Sequence, residues 1–179
     1  PMKITNREIP NVFEIDLQIF EDDRGYFQVP FINEAFNYAT GYFPKYIQDN
    51  ESYSKYGTIR GIHLQERPFA QSKLVRCVYG KVRDVIVDLR PTSETYGKWI
   101  SVDLDKPNKM LFIPRGCGHG FSVLSEFAIF QYKVDAPYNK SSEGGIIYND
   151  STLNIDWGIP PNDIIVSDKD LSLPTFSKN

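Results

Sequence analysis

The sequence predicts an all-β fold, a sandwich or closed barrel with short helices and an irregular C-terminal segment. Three observations carry that prediction. Short runs rich in β-branched and aromatic residues recur along the chain. Gly, Pro, Asn or Asp separate them at the spacing of strands joined by turns. Only residues 33–42 read as a good helix.

Taken in order, strands are expected over residues 12–15, 25–29, 73–79, 82–89, 99–104, 110–113, 120–124 and 128–133. In the run 73–79, alternation sets Lys73, Val75 and Cys77 on one face. In 128–133, Phe130 alternates with Tyr132. Residues 78–82, centred on Gly80, read as a tight hairpin turn. If residues 60–65 form a strand, Ile59, Gly61 and His63 share a face and Arg60 points away, unless a bulge near Gly61 re-aims it. The last thirty or so residues contain Pro160-Pro161 and Pro174 and read as irregular. Ser167-Asp-Lys-Asp170 within them is too specific for a plain tail.

The bulk numbers bound the function. A length of 179 residues fits one domain over 1–179, with a core of useful size. A hydrophobic content of 41% and an aromatic content of 14% are globular values. The net charge of -3 offers no basic field for nucleic acid. No apolar run is long enough to span a membrane, and no secretory signal is read, so a cytoplasmic protein is expected. Cys77 and Cys117 fit no zinc spacing and no redox pair; they are expected as buried free thiols. There is no Walker loop, no dinucleotide fingerprint and no nucleophile elbow.

The chain holds only two histidines, each in a distinctive phrase. His119 lies in Pro114-Arg-Gly-Cys-Gly-His-Gly-Phe121, and His63 in Arg60-Gly-Ile-His-Leu-Gln65. The first phrase resembles the second signature of the cupin β-barrel. The other stands where cupins carry a metal-binding His-x-His, yet Leu64 and Gln65 follow the histidine. A three-ligand metal site is therefore not expected. Histidine titrates near neutral pH and suits a general base. His63 is read as that base or as a hydrogen-bonded structural histidine. Lys73 is read either as a solvated strand-edge lysine or as an interior cation paired with Asp84 or Asp88, able to steady an oxyanion. Tyr132 is a proton donor or a core tyrosine with a satisfied hydroxyl. Arg24 and Arg60 sit beside glycines, and their forks suit phosphate oxygens.

Taken together these phrases resemble the dTDP-4-dehydrorhamnose 3,5-epimerases, metal-free cupins of nucleotide-sugar metabolism. The match runs from about Phe20 to Asp170. It includes Asp23-Arg-Gly-Tyr-Phe27, Gln48-Asp-Asn-Glu-Ser52, Ser72-Lys-Leu-Val-Arg76, Tyr96-Gly-Lys-Trp99 and Tyr148-Asn-Asp150 in family order. The resemblance implies a cupin jelly roll, a homodimer with N-terminal strands reaching the partner, and no cofactor. It implies His63 as base, Asp170 as the carboxylate orienting it, Tyr132 as acid and Lys73 beside the sugar oxygen. It implies that Arg24 and Arg60 contact the diphosphate, and that Gln48, Asp49, Asn50, His119, Glu143 and Lys169 contact the ligand. Tyr138 falls where a ring stacks near the nucleotide base. Val29 departs from the family glutamate that contacts that base, and Leu64 from a tyrosine after the catalytic histidine. The implied reaction is inversion of carbons 3 and 5 of dTDP-4-dehydro-6-deoxy-D-glucose. Alternatives are a mono-epimerase on a related sugar, a sugar-nucleotide-binding cupin without catalysis, and a metal-dependent cupin oxygenase.

Overall fold

Residues 2–177 are described by a computed structural model. Thirteen strands, two α-helices and two 3-10 turns make up the described residues. The chain starts with β1 (Lys3–Asn6), β2 (Phe13–Asp16), β3 (Ile19–Asp22), β4 (Gly25–Gln28) and α1 (Asn33–Thr40). β5 (Gln48–Lys55), β6 (Ile59–Gln65), β7 (Lys73–Tyr79), β8 (Val82–Asp88) and β9 (Trp99–Leu104) follow. Then come β10 (Lys109–Ile113), β11 (Cys117–Val123), β12 (Phe127–Val134), β13 (Glu143–Gly145) and α2 (Asp168–Leu171).

Two antiparallel sheets form a cupin-like jelly roll. One has the order β1-β2-β10-β7-β12-β5, the other β13-β6-β11-β8-β9, and among the described residues β3 pairs with β4 alone. Both sheets contribute to the core between them: Val75, Leu111, Ile113 and Phe130 from the first, Ile86, Leu104 and Phe121 from the second. Burying side chains of this size is worth ~1.5–3 kcal/mol each. The outer faces are covered too. Phe36 of α1 packs on Leu74, Met110 and Phe112 outside the six-stranded sheet. Ile146, Leu153 and Trp157 of the irregular C-terminal segment pack on Ile62, Val85 and Val87 outside the other.

Several expectations need correction. The helix stops at Thr40, two residues early, because Gly41 takes a left-handed φ of 72° and its N–H caps Asn37 O. The link at Gly80 is not a hairpin, because β7 and β8 lie in different sheets and the chain crosses between them there. β11 begins at Cys117, three residues early, so His119 sits inside a strand. β5 was not expected, since its polar run Gln-Asp-Asn-Glu-Ser-Tyr-Ser-Lys lacks an apolar face. It forms because all eight of its residues pair with β12.

Cys77 and Cys117 are buried free thiols, and burial pushes them up to about 11 and about 12. No helix among the described residues is long and apolar enough to cross a membrane.

Candidate active site

A cavity of about 590 Å³ opens into the barrel. The five-stranded sheet supplies His63, His119 and Arg60 to its lining, and the six-stranded sheet supplies Lys73, Tyr132 and Asn50.

The β6 strand shows how the sequence builds this wall. Arg60 and His63 are three residues apart, which in a regular strand puts them on opposite faces. β11 pairs His119 with His63 and Phe121 with Arg60, so three residues of β6 span two of β11. That bulge brings both side chains to the cavity. Gly61 within it has a φ of +118° and lies against β11. A Cβ there would come within 2.7 Å of Gly120 Cα and of His119 O. Only glycine fits that backbone and that spacing.

His63 Nε2 lies 2.6 Å from Asp170 Oδ1. The other carboxylate oxygen of Asp170 accepts the Gly61 N–H at 3.0 Å. Burial alone would raise the Asp170 carboxyl. The hydrogen bonds from His63 and Gly61 outweigh it and hold the group below the ordinary aspartate range. An ionised Asp170 fixes both the orientation and the tautomer of the imidazole.

Lys73 is 9% exposed, and its ammonium lies 5.4 Å from the centre of the Tyr132 ring. Burial pushes it down to about 8, against the opposing pull of Asp84 and Glu143. Its expected partner Asp88 is instead spent on Arg90, Ser93 and Thr95. Asp84 acts on Lys73 through its charge, while its Oδ1 lies 2.6 Å from His119 Nε2. Burial raises Asp84, with His119 and Lys73 opposing, and burial lowers His119. The second Asp84 oxygen is buried without a hydrogen-bond partner among the described residues.

Glu143 and Lys169 meet at the cavity mouth, with the ammonium 2.8 and 2.9 Å from the two carboxylate oxygens. Tyr138 OH donates to the same carboxylate at 3.0 Å. Burial would raise Glu143, but the Lys169 and Tyr138 hydrogen bonds hold it low. Arg60 lines the cavity with its Nε on Ser54 Oγ at 2.9 Å.

Four expected residues fall outside the cavity lining. Arg24 sits at the β3–β4 turn, 91% exposed at its side chain, and pairs with Asp22 at 2.5 Å. Gln48 donates to Asn50 at 2.7 Å and Asp49 accepts from Lys133 at 2.8 Å, both at the edge strand β5. Tyr138 is exposed and reaches the cavity lining through its hydrogen bond to Glu143. Val29 is 46% exposed and lines a separate groove with Leu17, Phe20 and Ile32. Ser52, which the sequence motif includes without a role of its own, belongs to the site as well. Its hydroxyl is buried without a hydrogen-bond partner among the described residues, and it lines the cavity. The signal was available, because Ser52 is two residues from Asn50 and shares its face. Among the described residues no group of three His, Cys, Asp or Glu side chains is placed to hold a metal ion.

This arrangement offers an oriented imidazole on one sheet, a phenol on the other and a buried ammonium beside the phenol. It suits proton transfer on both sides of a carbon next to a carbonyl.

The chain matches the family model described as dTDP-4-dehydrorhamnose 3,5-epimerase over residues 6–178. It is 45% identical to the dTDP-4-dehydrorhamnose 3,5-epimerase of Shigella flexneri, over 98% of this chain and 96% of that protein. The crystal structure of dTDP-4-dehydrorhamnose 3,5-epimerase from Elizabethkingia anophelis superposes with a TM-score of 0.92 at 46% identity, covering 98% and 96% of the two chains. A Legionella pneumophila dTDP-6-deoxy-D-glucose-3,5-epimerase, in complex with dTDP-4-keto-L-rhamnose, superposes with a TM-score of 0.92 at 35% identity, over 99% and 100%. The chain therefore belongs to the dTDP-4-dehydrorhamnose 3,5-epimerase family, a family of isomerases.

Proposed function

We propose that this protein inverts carbons 3 and 5 of dTDP-4-dehydro-6-deoxy-D-glucose to give dTDP-4-dehydro-L-rhamnose. The observation that carries the reading is the placement of His63 and Tyr132 on opposite sheets around one cavity. A base on one side of a ring carbon and an acid on the other is what inversion requires. The same placement argues against a binding module without catalysis. The relatives at 45% and 46% identity are named as double epimerases, which favours two inversions over one.

The 4-keto group acidifies the protons on carbons 3 and 5. His63, held by Asp170, takes one of them, and the electron pair moves onto the carbonyl oxygen as an enolate. The Lys73 ammonium steadies that oxygen, a contribution of about 3–4 kcal/mol where a single oxyanion donor has been removed from other enzymes. Tyr132 then protonates the carbon from the opposite face, and solvent restores both groups. The ketone is the electron sink, so this chemistry calls on no cofactor. Arg60 and Asn50 supply polar contacts to the nucleotide sugar inside the cavity, and His119 is held for its contact by Asp84.

The same reading gives the exposed β3–β4 hairpin a purpose. Phe20, Tyr26 and Phe27 on it are 53%, 53% and 65% exposed, and Arg24 stands at its tip. In a homodimer the hairpin reaches the partner subunit, and Arg24 meets the diphosphate there.

The test is NMR in deuterium oxide with dTDP-4-keto-6-deoxyglucose. Deuterium entering both carbons, with a rhamno-configured product trapped by reduction, is expected. Exchange at one carbon only would make the protein a mono-epimerase. Binding without exchange would remove the reading and point to another nucleotide sugar.

A further inference from the structure

The segment that brings Asp170 to the site is a strap anchored on both sides of that residue: beyond it, Ile147 N–H donates to Pro174 O and Phe176 N–H to Asp150 Oδ1, and Val166 and Phe176 pack on the cluster outside the five-stranded sheet. At its start Ile165 is tied to the entry of β6: Ile59 N–H donates to Ile165 O at 2.9 Å, and Ile165 N–H donates to Gly57 O at 2.9 Å. Two residues after Ile165 comes Ser167, and then α2, only four residues long. A single helical turn does not hold itself, because nucleation is unfavourable. Between the anchors on either side, its cap and its side-chain contacts set where the turn lies.

Those contacts converge on Asp170. Ser167 Oγ accepts the Asp170 N–H at 3.2 Å. Lys169, the adjacent residue, donates to both oxygens of Glu143. Glu143 stands on β13 opposite Gln65, and Gly145 on the same strand stands opposite His63. The ion pair therefore ties the helix that carries Asp170 to the strand lying beside His63. Both Glu143 oxygens are committed, one of them also to Tyr138. Lys169 is 63% exposed at its side chain, so the pair adds little to the stability of the fold.

We propose that Glu143, Lys169 and Ser167 are positioning residues that pin the strap so that Asp170 meets the His63 imidazole. This deepens the reading of His63 as the base and rests on it. A carboxylate on an unpinned turn samples other positions, and a misplacement of 1 Å can cost about 100-fold in rate.

The experiment compares Lys169→Met, Glu143→Gln and Ser167→Ala with Lys169→Arg in the full chain. One readout is kcat and KM for deuterium exchange. The other is the far-downfield proton resonance of the His63–Asp170 hydrogen bond without substrate, assigned by its loss in Asp170→Asn. We expect kcat to fall about tenfold in Lys169→Met, inside that 100-fold limit. The resonance should broaden with little change in melting temperature, and Lys169→Arg should restore both. An unchanged resonance in Lys169→Met and Glu143→Gln, with only KM raised, would overturn the proposal and leave the pair as plain ligand contacts. If His63→Ala keeps its exchange activity, the base assignment fails instead, while the resonance still reports whether the pin holds Asp170.

Discussion

Lys73→Met should make the protein more stable and nearly inactive. The structure supplies the magnitude. Burial lowers the Lys73 ammonium from 10.5 to about 8. Holding it charged at neutral pH therefore costs the folded state about 3 kcal/mol. That figure already includes the attraction of Asp84 and Glu143, which oppose the burial. Below about pH 8 the lysine is charged in both states and the whole cost is present. Between about 8 and 10.5 the unfolded chain binds the proton and the folded chain does not, so this group makes stability rise with pH. Methionine fills similar space without the charge. Urea unfolding at pH 7 should show Lys73→Met more stable by up to about 3 kcal/mol, a midpoint shift of about 1 M or more at usual slopes. The rise in stability attributable to this lysine above pH 8 should vanish. Turnover should fall about 10²–10³-fold, the loss seen when one oxyanion donor is removed. Wild-type kcat/KM should decline as pH rises through about 8, because the free enzyme loses the ammonium there. A variant that unfolds at lower urea, or keeps the wild-type pH slope, would refute the account of Lys73 as a functional charge held at a cost to the fold.

Other outcomes follow from the same geometry. His63→Ala should abolish solvent exchange at carbons 3 and 5 while calorimetry shows dTDP binding largely intact; lost binding would mean that His63 builds the site rather than acting in it. Asp170→Asn should cut kcat by up to about 10⁴-fold, as when a carboxylate that orients a catalytic histidine is neutralised. Because Asp170 is held low, its contribution to stability is present above the carboxyl's unfolded value and lost as pH falls through its folded one. Acid titration of Asp170→Asn by circular dichroism should lack that component. Gly61→Ala should destabilise by about 2–6 kcal/mol, from backbone strain at a φ of +118° plus overpacking against Gly120; a variant with wild-type melting would remove the stated reason for glycine at the bulge.

What the sequence revealed and what it hid have physical causes. Strand 99–104 could be read because burial of one face leaves an apolar alternation, and 73–79 because its β-branched and apolar residues are buried on both faces, Leu74 under α1 and Val75 between the sheets. β5 could not, because its eight residues owe their conformation to pairing with β12 rather than to an apolar face. The link at Gly80 misled for a related reason. A short turn between two strands looks the same whether they pair or part into two sheets. At the site, the ambiguity over Arg60 and His63 turned on one bulge, and Gly61 marked where it would fall. The Arg24 position was legible as a motif, yet its side chain stands away from this chain's cavity and pairs with Asp22, which the motif alone does not reveal. The Glu143–Lys169 contact joins residues 26 apart and leaves no periodic trace.

The central claim is that protons leave on the side of His63 and return on the side of Tyr132. The direct test is Tyr132→Phe in deuterium oxide, followed by NMR of dTDP-4-keto-6-deoxyglucose. The account predicts that deuterium still enters at the positions His63 deprotonates, while inversion falls far more steeply than exchange. Inversion at the wild-type rate in Tyr132→Phe would contradict it, because the proton would then return from some other group.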